Sequence, residues 1–136
     1  MLEHLGINAT KIYTSASGKP FFNKSNIYFN YSHSNNFIAC AVSLNEVGID
    51  IEENDRLVNK STVKICGLNC TNPLEELIKR ESFCKMTGQG IALIFDKNNF
   101  KDLDKYCRLF ITKEYTCSIC SKEIKPVYKF INIIEL

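Results

Sequence analysis

Apolar and polar positions alternate with a period of two from Ile27 to Ser34, where Ile27, Phe29 and Tyr31 interleave with Tyr28, Asn30 and Ser32, which predicts a strand. A polar turn, His33-Ser34-Asn35-Asn36, separates it from the apolar run Phe37–Ser43, so the pair predicts a hairpin. Val47–Glu52 predicts a third strand, with Val47, Ile49 and Ile51 on one face and Gly48, Asp50 and Glu52 on the other. The period then changes. From Pro73, Leu74, Leu77, Ile78 and Glu81 recur at i, i+3, i+4 and i+7, the spacing of a helix. Asn72 suits its N-cap, Pro73 its first position and Glu75 the capping box, and Gly88 should end it. Strands are expected at 91–95, 108–121 and 126–134, with a polar turn or helix at 97–106. Residues 14–26, rich in Ser, Asn, Gly and Pro, predict a loop, and 53–72 have no clear pattern. The order favours an α+β fold: a mainly antiparallel sheet packed against one principal helix at about 73–87.

Length and composition narrow the class. A chain of 136 residues, 45% hydrophobic, is expected to form one domain with a real core. Seventeen Lys and Arg against 15 Asp and Glu give a net charge of +2, which disfavours nucleic acid or a membrane surface as partner. The longest apolar runs, Phe37–Val42 and Ile91–Phe95, fall far short of the ~18 residues of a membrane-spanning helix. Met1–Lys11, with Glu3 and His4, does not have the apolar centre of a signal peptide, so a cytoplasmic location is expected.

Seven cysteines cannot all pair, and a reduced compartment favours buried thiols. Cys66 with Cys70 and Cys117 with Cys120 keep a four-thiolate zinc site open as a minor alternative. Phe110–Ser121, read as one strand, would place Ile111, Tyr115, Cys117 and Ile119 on one face.

Three places could carry chemistry. Asp50 and Glu52, two apart on a strand, present carboxylates about 6.6–7 Å apart along one face. Such a pair suits Mg2+, while a solvated acidic face is the plainer alternative. Glu81 and Lys85, four apart on the helix, could form a surface ion pair or unite a proton acceptor with an ammonium that steadies phosphate charge. Lys79 and Arg80 make that helix locally basic. His33 with Ser32 at a strand end, joined by Lys19, could donate to phosphate, although a strand-end His is more often merely exposed.

The order and wording of these segments carry more than any one of them. Gly18-Lys19-Pro20, Phe29-Asn30-Tyr31-Ser32-His33-Ser34, Val47-Gly48-Ile49-Asp50-Ile51-Glu52 and Lys79-Arg80-Glu81-Ser82-Phe83-Cys84-Lys85, ending in Gly88-Gln89-Gly90, resemble the 4'-phosphopantetheinyl transferases, in particular the long, surfactin-synthetase-activating type. The resemblance spans roughly residues 16–121. It implies Mg2+-dependent transfer of phosphopantetheine from coenzyme A to a serine of an acyl or peptidyl carrier protein, releasing adenosine 3',5'-bisphosphate. Asp50, Glu52 and Glu81 would then hold the metal, Glu81 and Lys85 would be catalytic, and Lys19, Ser32, His33 and Arg80 would bind coenzyme A. Where the family usually has Trp and Lys, this chain has Leu77 and Arg80. Against the long type, residues 1–136 are expected to form a single such domain lacking most of the N-terminal half, which raises self-association as a way to complete the cleft. A non-catalytic relative that binds a carrier protein or nucleotide is the other class of reading.

Overall fold

The computed structural model describes residues 12–23 and 26–122. The strand expected at 126–134 and the reading of Met1–Lys11 lie outside the described residues. The polypeptide opens with a small hairpin, β1 (Ile12–Thr14) on β2 (Pro20–Phe22). Residues 14–26 are therefore not simply a loop. Ser15 and Lys19 close the turn backbone to backbone, and Gly18 takes a φ of 84° that side chains resist. The predicted hairpin follows as β3 (Tyr28–Ser34) and β4 (Phe37–Ser43), turned at Asn35, whose φ of 40° is one asparagine tolerates. The third sheet is antiparallel, with strand order β5 (Val47–Glu53), β7 (Tyr115–Ser121), β6 (Cys107–Ile111).

Among the described residues three α-helices lie between β5 and β6: α1 (Lys60–Cys66), α2 (Pro73–Thr87) and the short α3 (Leu103–Tyr106). In α2 the Asn72 side chain accepts from Glu75 N–H, Asn72 Nδ2 donates to Glu75 Oε1 at 2.8 Å, and Gly88 (φ 71°) ends the helix with its N–H on Cys84 O. This is the boundary the sequence predicts, and the α+β class with antiparallel sheets holds.

β5 sits between two apolar clusters. Val47, Ile49 and Ile51 pack with Ala39, Ala41 and Cys117 on one side. On the other, α2 lies so close to Gly48 that a Cβ there would overlap Ser82 O and Met86 N. The room that the glycine provides is filled by the helix backbone. Leu77, Cys84 and Met86 of α2 continue into a second cluster with Leu68, Ile94, Phe100 and Leu103. Ile51, Leu68 and Ile78 are fully buried, each contributing about 1.5–3 kcal/mol of apolar transfer.

Two predicted strands come out otherwise. Ile91–Phe95 forms a 3-10 helix, entered through Gly90 at φ 83°; only Ile94 is buried, and Ile91 and Phe95 are exposed. A five-residue apolar run does not by itself separate strand from helical turn. Residues 108–121 are two strands, because the Thr112 hydroxyl accepts from the N–H groups of Glu114 and Tyr115 and reverses the chain.

The cysteines also divide. Cys107 and Cys120 face each other across β6 and β7 as a disulfide, Cys66, Cys84 and Cys117 are buried thiols, and Cys40 and Cys70 are exposed. With Cys120 bonded to Cys107 and Cys117 packed in the other cluster, the four-thiolate zinc set is not assembled. Burial pushes the thiols of Cys84 to about 11 and Cys117 to about 12, so both stay protonated at neutral pH. Among the described residues no helix is long and apolar enough to cross a membrane.

Candidate functional site

The alternation on β3 puts polar groups inside. Asn30 and Ser32 are buried, while Tyr31 is 56% exposed. The reason lies in β5, which exposes a row of N–H groups toward β3. Asn30 Oδ1 accepts from Ile49 N–H, Ser32 Oγ from Ile51 N–H and Ser34 Oγ from Glu53 N–H, at 3.2, 3.4 and 3.4 Å. Each step of two along β3 matches a step of two along β5, so side chains perform the pairing that backbone carbonyls perform in a sheet.

This seam sets the carboxylates. Asp50 is 2% exposed, which overturns the solvated-face reading. Its Oδ1 accepts from Ser32 Oγ at 2.8 Å and from Lys85 Nζ at 2.6 Å, while buried Oδ2 has no hydrogen-bond partner. Lys85 also donates to Ser32 Oγ at 3.0 Å. The ion pair that Lys85 makes is thus with Asp50 across to the strand, not with Glu81 along its own helix. Glu52 accepts from Ser34 Oγ at 2.6 Å on Oε2 and from Arg56 on Oε1. Glu81 comes in from α2, so that one ligand atom each from Asp50, Glu52 and Glu81 lies within 4.8 Å of the others. No other such cluster of metal-binding side chains occurs among the described residues.

Burial, reinforced by the charge of Asp50, raises the Glu81 carboxyl to about 8. A group protonated in the fold but ionised in the unfolded chain takes up a proton on folding, so the stability it contributes is full below pH 4.5 and is lost as pH rises toward 8. Unfolding of the metal-free protein by guanidinium should therefore show stability falling across that window, and millimolar Mg2+ should flatten the fall. A metal-free curve that rises from pH 5 to 8, with Mg2+ making no difference, would contradict this account of Glu81.

Two lobes meet at Tyr31, Glu81 and Lys85. One, of about 260 Å³, is lined by Tyr31, Ser32, His33, Asp50, Glu52, Glu81 and Lys85. The other, of about 290 Å³, shares Tyr31, Glu81 and Lys85 and adds Gly18, Lys19, Asn30, Gly88 and Gly90. Lys19 crosses from the β1–β2 turn to the end of α2, where its Nζ donates to Met86 O. A cation suits that helix C-terminus, and burial lowers the Lys19 pKa. The Lys19 stem passes close to Gly88, where a Cβ would stand 3.3 Å from Cδ.

Of the site residues predicted from sequence, Asp50, Glu52, Glu81, Lys85, Ser32, His33 and Lys19 all line these lobes. Arg80 does not. It is 6% exposed and faces the second cluster, with Nε on Glu76, Nη1 on Cys66 O at 2.6 Å and its guanidinium over the Phe100 ring. One residue from Glu81 is about 100° around the helix, so the two side chains part. Lys79 is likewise occupied by Glu76 and Asp104. Sequence reasoning missed Ser34 and Arg56. The polar series Asn30, Ser32, Ser34 at alternate positions was the available signal for the first. Nothing marked Arg56 except its place four residues after Glu52.

No protein-family model matches the chain, and no curated protein matches it. The site must be read from its own chemistry. Asp50, Glu52 and Glu81 offer only oxygen ligands, the kind that a hard divalent cation takes.

Proposed function

We propose that the chain is a Mg2+-dependent phosphopantetheinyl transferase, moving 4'-phosphopantetheine from coenzyme A to a serine of an acyl or peptidyl carrier protein, on a fold of that family. The observation that carries this reading is the convergence of Asp50, Glu52 and Glu81 within 4.8 Å of one another, in a lobe with Lys85 and His33 that shares Tyr31, Glu81 and Lys85 with the Lys19 lobe. The four ordered sequence motifs support it.

Asp50, Glu52 and Glu81 would hold the cation, which when bound supplies neutralisation of pyrophosphate charge. The serine hydroxyl of the carrier attacks the pantetheine-side phosphorus, and Glu81 takes its proton, directly or through a water. The bond from that phosphorus to the bridging oxygen breaks, and its electron pair leaves with adenosine 3',5'-bisphosphate. Lys85, held by Asp50 and Ser32, offers its ammonium to the developing charge. Lys19 and the exposed His33 remain for the coenzyme A phosphates. Ser32 is reassigned, since its buried hydroxyl is already donated to Asp50.

Incubation with coenzyme A, Mg2+ and apo carrier proteins of both types, followed by intact mass measurement of the carrier, tests this. A phosphopantetheine adduct that disappears when EDTA replaces Mg2+ is the expected result. Absence of any adduct on several carriers, with the protein shown to be folded, would overturn the transferase reading.

A further inference from the structure

Glu52 is gripped at its two oxygens by unlike partners. Oε2 takes the Ser34 hydroxyl at 2.6 Å, and that hydroxyl is itself anchored by the Glu53 N–H. Oε1 takes Arg56, whose side chain is 41% exposed and comes from the segment just after β5. The neighbouring carboxylate repeats half of this pattern. Ser32 donates to Asp50 Oδ1 and leaves Oδ2 buried without a donor. Two serines two residues apart on β3 therefore each occupy one oxygen of two carboxylates two apart on β5.

We infer that Ser34 is a positioning residue of the cation site: it fixes Glu52 Oε2 so that Oε1 is the atom given to the ion, in exchange for Arg56. The inference rests on the cation reading above. A neutral hydroxyl orients a carboxylate without repelling a cation, as second-sphere donors to metal ligands commonly do. A guanidinium both blocks the oxygen and repels the ion. Its hold is also the weaker one, because Arg56 is 41% exposed and water competes for its guanidinium. An arriving divalent ion thus displaces Arg56 and keeps Ser34, and the two partners of one carboxylate act on cation affinity in opposite directions.

The test is a calorimetric titration of Mn2+ alone into the purified full chain, without coenzyme A or carrier. Ser34→Ala should bind about tenfold more weakly and Arg56→Ala about threefold more tightly than wild type. Ser34→Thr, which restores the hydroxyl, should stay close to wild type, and Ser34→Val, equal to it in shape, should follow Ser34→Ala. The Thr and Val pair keeps the comparison valid where the smaller side chain loosens the hairpin. In a Glu52→Gln background neither Ser34→Ala nor Arg56→Ala should change what affinity remains. Wild type that binds Mn2+ while Ser34→Ala and Ser34→Val bind it equally well overturns the inference alone, as does weaker binding by Arg56→Ala. Wild type that takes up no Mn2+ overturns both the inference and the cation reading beneath it.

Discussion

Glu81→Gln is expected to lower carrier modification by about three orders of magnitude or more, yet leave the metal-free protein at least as stable as wild type at pH 8. The activity falls because one side chain is assigned both a cation ligand and the proton acceptor. The stability follows from the raised pKa of about 8: near that pH wild type carries the cost of a buried carboxylate ionising beside Asp50, and an amide of the same shape does not. Asp50→Asn should also abolish transfer, but with a loss of stability, because Lys85 loses its charged partner at 2.6 Å. Turnover by carrier mass and guanidinium unfolding on the same samples decide the matter. Glu81→Gln that transfers normally, or that is clearly less stable than wild type at pH 8, would refute the role given to Glu81.

Gly48→Ala is expected to lower stability by about 3 kcal/mol, the upper part of the usual range for overpacking, and the melting temperature by about 10 °C. The added methyl meets Ser82 O and Met86 N, which are helix backbone and cannot rotate aside. α2 must lift from β5, carrying Glu81 and Lys85 away from Asp50, so activity should fall with stability. Gly90→Ala makes a useful contrast. Its Cβ would meet nothing within 4 Å, so its penalty is one of backbone alone: φ 83° with ψ 163° is a conformation that only glycine adopts readily, and forcing a side chain into it costs about 1–3 kcal/mol. A thermal melt of Gly48→Ala equal to that of wild type would show that α2 does not ride on Gly48.

Much of the framework could be read before any coordinates. The β3–β4 hairpin, β5 and the whole of α2 with both caps follow from period and punctuation, since Asn72, Pro73, Glu75 and Gly88 act locally. That Asp50 and Glu52 share a face was legible for the same reason, since alternation on a strand fixes it. What escaped was tertiary. Ile91–Phe95 is apolar enough for a strand, but only Ile94 finds the core. Arg80 carries the right charge beside Glu81 and points the other way, toward Cys66 and Phe100. Lys85 passes over the Glu81 of its own helix for a strand residue 35 positions earlier, a choice that only packing reveals. Ser32 reads from the sequence as a phosphate ligand, whereas its buried hydroxyl is donated to Asp50.

The seam between β3 and β5 has a consequence for how such a sequence can drift. Ordinary strand pairing is indifferent to side-chain identity, because the backbone does the bonding, and so it survives most substitutions. Here the bonds to Ile49, Ile51 and Glu53 are written in Asn30, Ser32 and Ser34, and the hydroxyls of the two serines also hold Asp50 and Glu52. A descendant that gave up the carboxylates could not freely randomise these positions, because it would part its own strands. Architecture and the carboxylate cluster are thus inherited together, and hydroxyls at positions 32 and 34 attest to the joint as much as to the site.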